Sequence, residues 1–175
     1  MSSYQIINLL LLITHGLVSV ALLGAISHQC VAVVRAQCLP AHDRPAKGHF
    51  LRRYAAVGSQ HFVGAVVLCY LLTGVLGAVL YPEYRLESRY ALEELRLLPV
   101  VGLFELKEHF AGLGLGLLPL YVLQWRQYQG SSNEPPMKPP MGRTSASPVA
   151  VTLTLGFIVW FTFIVGHVVN NYRGL

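Results

Sequence analysis

The chain is 175 residues long, 54% hydrophobic and only 12% charged, with a formal net charge of +5 and a mean hydropathy of +0.51. A water-soluble domain carries charge on about a quarter of its residues, and a disordered chain lacks this apolar content, so both classes are excluded. What remains is an integral membrane protein, and residues 1–34, which contain no Asp, Glu, Lys or Arg, carry that reading.

Taken in chain order, the first element is the apolar run 6–34, broken only by uncharged polar residues and two histidines. A hydrocarbon core of about 30 Å needs roughly 20 helical residues, so this run spans it with residues to spare. A cleaved leader is not expected, because MSSYQ carries no Lys or Arg and the run is too long for a leader's apolar stretch. A basic segment, 35–54, follows with Arg35, Arg44, Lys47, Arg52 and Arg53, and also holds His42 and His49. Those two histidines are expected in water or among lipid headgroups.

The second predicted span is 55–80, closed by Tyr81-Pro82. The loop 81–97 alternates charge signs and sets leucines at helical spacing, which predicts a short helix at the membrane interface. The third span, 98–125, carries Glu105, Lys107, Glu108 and His109 near its start. The segment 126–148 is rich in Pro, Ser and Gly and reads as an extended linker on the surface or on a partner subunit. The fourth span, 149–170, is entered after Ser147-Pro148 and ends at Asn170-Asn171. In lipid only helices or closed barrels satisfy the backbone, and none of these runs alternates like a strand. The expected fold is therefore all-α, a single membrane domain forming a four-helix bundle.

Basic residues concentrate in 35–54 and 126–148, so these connections are expected in the cytoplasm and both termini outside. The expected location is the bacterial inner membrane. The positive charge is then a consequence of topology, and no nucleic-acid partner is needed to explain it. The cysteines, Cys30, Cys38 and Cys69, form no C-x-x-C or C-x-x-C-H pattern, which leaves thiol redox chemistry and covalent haem attachment unsupported.

Five histidines, His15, His28, His61, His109 and His167, fall within the spans. Ionisable residues at membrane depth are rare and mark functional sites. At 1.5 Å per residue, His28 and His61 lie on the cytoplasmic side of the midplane and the other three on the outer side, the layers being roughly 20 Å apart. Two redox centres, one near each face, would carry electrons across a bilayer. Haem b fits this pattern, since axial imidazoles from two helices hold the iron and a helical bundle supplies an apolar slot. Small residues accompany the histidines: Ala21, Gly24 and Ala25 before His28, Gly64 and Ala65 after His61, Gly112 and Gly116 after His109, and Gly166 before His167. Such residues also serve ordinary helix packing. The inner pair is expected to be His28 with His61. For the outer site His109 is one ligand, and the other is His15 or His167. Thirteen residues at about 100° each place His15 and His28 on nearly opposite faces of a straight helix, so a bend near Gly16 or Gly24 is required if both serve stacked haems.

With four spans and two layers of histidines, the chain resembles the small integral-membrane b-type cytochrome subunits that pass electrons between quinones and a partner oxidoreductase. The resemblance implies two haem b groups, a quinone, and other subunits of a membrane redox complex. In a quinol site, Glu105 or Glu108 would accept the proton released on oxidation. The competing reading pairs these carboxylates with Lys107 or with Arg85, Arg89 or Arg96, pinning the outer loop over the bundle. Tyr81, Tyr84, Tyr90 and Tyr172, with Tyr54, Trp125 and Tyr128 opposite, fit interfacial aromatic belts. Two other functions compete: a cofactor-free accessory or assembly subunit of a larger membrane complex, and a chlorophyll-binding subunit. No complete enzymatic motif is present.

Overall fold

The computed structural model describes residues 3–38, 59–83, 85–86, 89–130 and 146–173. The basic segment with His42 and His49 and most of the Pro-rich linker lie outside the described residues. Among the described residues the backbone is helical almost throughout and contains no strand. The elements are α1 (Ser3–Cys38), a 3-10 turn (Ser59–Phe62) leading into α2 (Val63–Glu83), then α3 (Arg89–Glu94), α4 (Leu98–Gly130) and α5 (Ala146–Arg173). Three stretches are long and apolar enough to cross a membrane: Ser3–Val34, Gln60–Pro82 and Ser147–Val169. α4 has the length, at 33 residues, but Glu105, Lys107 and Glu108 interrupt its apolar run near one end.

Helix ends differ in detail from the sequence expectation. α2 runs through Tyr81-Pro82 to Glu83, because a proline in the last turn removes one hydrogen bond without blocking a long continuation. α5 starts at Ala146, ahead of Pro148, and a first-turn proline gives up an N–H that has no helical partner anyway.

α1 packs against α2 and α5, α5 against α4, and α2 more lightly against α4; α3 lies on α4. Each long helix contributes a seam of inward residues spaced alternately three and four apart. On α4 it is Val100, Phe104, Lys107, Ala111, Gly114, Leu118, Tyr121 and Trp125; on α5 it is Pro148, Thr152, Leu155, Val159, Thr162, Gly166 and Val169. Alternating spacings of three and four keep one stripe facing a neighbouring helix. Ile26, Val66, Tyr121 and Leu155 are fully buried where the seams meet. The opposite faces expose apolar side chains such as Leu17, Leu68, Val75 and Phe157, which would be an association hazard in water and is ordinary in lipid.

Polar ties cross the seams. Tyr121 Oη donates to Gln29 Oε1 at 2.6 Å, both residues fully buried. Trp125 Nε1 donates to Thr152 Oγ1 at 3.1 Å, and Thr152 in turn donates to the Pro148 carbonyl at 2.7 Å. Trp160 Nε1 donates to Ser27 Oγ at 2.9 Å. Since an orphaned buried hydroxyl costs about 1–3 kcal/mol, Gln29→Leu should destabilise the protein by that order in a detergent unfolding titration. Adding Tyr121→Phe should recover most of the loss, because the orphan is then removed.

α3 ends in a left-handed residue. Arg96 has φ 55°, with Leu97 N donating to Leu92 O at 2.9 Å and Arg96 N to Glu93 O at 3.0 Å. This is the Schellman pattern, usually closed by glycine. It returns Leu97 onto an apolar cluster of Leu92, Val100, Val101, Val165 and Val169, which seats α3 over the start of α4.

Candidate functional site

The cross-helix contacts place the histidines at two heights. His28 stacks on Phe62, ring centroids 4.4 Å apart, so it shares an end of the α1–α2 seam with His61. At the other end His15 lies against Gly77, its Cε1 3.3 Å from where a Cβ would stand. Lys107 reaches Gly166 at that same height, with His109 and His167 next to them in sequence.

The faces differ from the expected slot. His15 points into the bundle along the α1 stripe that includes Leu22, Ile26 and Gln29, whereas His28 sits on the flank toward Phe62. The two therefore diverge, as their spacing requires. His61, His109 and His167 are exposed, and His167 stacks on Phe163 of its own helix at 5.5 Å. Gly24, Gly64, Gly112 and Gly116 also lie on exposed faces, where a Cβ would meet nothing within 4 Å. The small-residue stripes thus flank the bundle and do not line its core, because larger seam residues occupy the interior.

A cavity of about 380 Å³ opens beside α3, lined by Tyr81, Arg85, Arg89, Phe104, Glu105, Glu108 and His109. It brings Glu105, Glu108 and His109 together with Tyr81, Arg85 and Arg89, all singled out in the sequence. The carboxylates are engaged: Arg89 reaches Glu105 at 3.0 Å and Glu93 at 2.8 Å, and Lys107 reaches Glu108 at 3.1 Å. Of these, the Arg89–Glu105 pair ties the outer loop to α4, while Arg89–Glu93 lies within α3 and Lys107–Glu108 within α4. The Glu93 hydrogen bond raises the Arg89 pKa above its usual value, outweighing desolvation, and the nearby Glu105 charge adds a smaller increase.

The His109 ring lines the cavity, tied to its own helix. Its Nδ1 lies 2.7 Å from the Glu105 carbonyl oxygen, and two acceptors do not approach so closely, so Nδ1 carries the proton and donates. Nε2 then presents its lone pair in the neutral ring. A backbone carbonyl holding Nδ1–H is the usual way a ligating imidazole is fixed and made more basic. Around it stand an aromatic wall, Tyr81 and Phe104 with rings 6.3 Å apart and nearly parallel, and the Arg85 guanidinium. Arg85 donates to Tyr81 Oη at 2.9 Å and meets no carboxylate among the described residues. The pairing of a loop arginine with Glu105 follows the sequence expectation, whereas the placing of Arg85 beside His109, unpaired with any described carboxylate, depends on the path of loop 81–97.

No group of three or more His, Cys, Asp or Glu among the described residues could hold a bare metal ion. A metalloporphyrin needs less from the protein, because its ring supplies four nitrogens and the chain adds one or two axial ligands. The cavity offers one imidazole, an aromatic wall and the Arg85 guanidinium toward such a group, while Arg89 is held by Glu105 and Glu93 and the carboxylates of Glu105 and Glu108 stand in the same lining. No second histidine lines the cavity. No family model, curated protein or solved structure matches the chain.

Proposed function

We propose that the chain is a membrane-embedded b-type cytochrome subunit that passes electrons between a quinone pool and a partner redox complex. The observation that carries this reading is His109, whose Nδ1–H is held by the Glu105 carbonyl so that Nε2 is left for a ligand beside Arg85 and Arg89. His109 would hold one haem b, with the Arg85 guanidinium beside it. His28 and His61, at the same end of the α1–α2 seam, would hold a second. Bound haem would supply reversible one-electron transfer at iron. The chain's own part is to orient the imidazole, screen the pocket with Tyr81 and Phe104, and anchor α3 through Arg89.

In this reading α4 is the third span in chain order, completing a four-helix membrane bundle, and α3 lies at the interface. Segments 35–54 and 126–148 face the cytoplasm of a bacterial inner membrane, and both termini lie outside. Glu105 or Glu108 would take the quinol proton in exchange for its ion pair. The histidines His15 and His167 enter as ligands only through helix motion or a partner.

A second reading, a cofactor-free accessory subunit, is favoured by the direct ties Tyr121–Gln29, Trp125–Thr152 and Trp160–Ser27, which join the helices unaided. Reduced-minus-oxidised absorption spectra of the purified full chain decide between them. The cytochrome reading expects a b-type spectrum with two components, one reduced by His28→Ala or His61→Ala. A chain isolated from haem-replete cells with no Soret band would establish the accessory reading, and a chlorophyll absorption maximum would replace both.

A further inference from the structure

The turn that closes α3 places an arginine where glycine is usual. Arg96 holds φ 55°, a left-handed backbone that costs an L side chain energy and costs glycine none. The guanidinium gains nothing from the fold in return. It is exposed, and among the described residues it makes no hydrogen bond, ion pair or ring contact. Glu93 is taken by Arg89, and Glu94, two residues back, forms no ion pair with Arg96. Two large apolar side chains flank this cation, Leu95 at 66% and Leu98 at 64% exposure. The inner side of the same corner is packed: Leu92 and Leu97 join the cluster that holds Val165 and Val169. Val169 is also the last residue of the apolar stretch of α5. The corner therefore stands at the height where an apolar span ends, which in a bilayer is the height of the headgroups.

We propose that the Leu95–Leu98 corner binds a phospholipid, with the Arg96 guanidinium on the headgroup phosphate and Leu95 and Leu98 against the upper acyl chains. A guanidinium offers a phosphate two parallel N–H donors, and apolar side chains beside a cation are the pattern of a surface seated in the headgroup boundary. The unusual backbone at Arg96 is then strain kept at a functional position. This inference rests on the placing of α3 at the membrane interface and is independent of the haem reading.

The test is titration of the full chain in detergent with phosphatidylglycerol, and with diacylglycerol of the same acyl chains, bound lipid being counted by native mass spectrometry. The unchanged chain should hold phosphatidylglycerol more tightly than diacylglycerol. Arg96→Gly should bind phosphatidylglycerol roughly fivefold more weakly, the factor for one cation at a lipid surface, and diacylglycerol as before. Its unfolding midpoint should hold or rise, because glycine suits the left-handed position, so the weaker binding is not a folding defect. Arg96→Asn, tolerated at the same backbone angle, should show the same loss. Unaltered phosphatidylglycerol binding in both variants, or equal loss of the two lipids, would overturn the proposal and leave Arg96 a solvated charge. If the unchanged chain holds both lipids equally, the phosphate is not recognised and the proposal falls while the interfacial placing of α3 stands. If it holds neither, that placing falls as well.

Discussion

His109→Ala is expected to abolish the haem component at the pocket beside α3, with hemin affinity falling by at least about a hundredfold. Loss of an outer partner of a metal ligand costs about 10- to 100-fold, and this substitution removes the ligand itself. The component held by His28 and His61 should persist, because it lies at the other end of the bundle. Helix content should not change, since the ring is exposed and its described hydrogen bond is to its own helix at Glu105. Reduced-minus-oxidised spectra and hemin titration of the same preparation check both parts. Disappearance of both components together would mean that the two ends are not independent sites.

Gly114→Ala should give the largest loss of stability among single-methyl changes to the seam. A Cβ there would overlap Tyr70 Oη, lie 2.7 Å from Tyr70 Cζ and touch Ile158 Cγ2 at 3.0 Å. The phenol cannot simply swing away, because its hydroxyl donates to the Ala111 carbonyl at 2.9 Å and the residue is buried. The extra methyl therefore breaks that bond and pushes α2 and α5 off α4. Overpacking of this kind costs about 1–3 kcal/mol, readable as a lower unfolding midpoint in detergent. Tyr70→Phe should not rescue it, since the ring carbon still collides. Adding Gly114→Ala to a Tyr70→Leu background should cost much less than adding it to the native chain.

Much of the architecture was legible from charge and apolar run length. The absence of charge through residue 34 is realised as α1, and the leucine spacing in loop 81–97 as α3. What the residues did not reveal was which face of each helix turns inward. In a soluble bundle the polar face marks the outside; in lipid the outward face is as apolar as the inward one. On α4, Leu106 and Leu113 are exposed while Leu118 is buried, and no hydropathy contrast separates them. Gly112 and Gly116 therefore looked like an inward slot beside His109, yet they share its outward face. Lys107 was the reverse case. Its place in the seam was present in the spacing from Val100 to Trp125, but between Glu105 and Glu108 it read as part of a charged patch. The junction of Arg85 with His109 depended on the path of the loop, which no local pattern encodes.

The uncharged stretch of α1 covers 32 residues, while its neighbour, the 3-10 turn continued by α2, covers 23. At 1.5 Å per residue these lengths are about 48 Å and 35 Å, against a hydrocarbon layer of about 30 Å. Two adjoining sides of one molecule thus call for bilayers of unequal thickness. Lipid tails must stretch or α1 must lean to satisfy the longer side, and the mismatch costs a fraction of a kcal/mol per Å. One flank of the protein therefore asks for a leaning helix or a thicker lipid collar that the other flank does not.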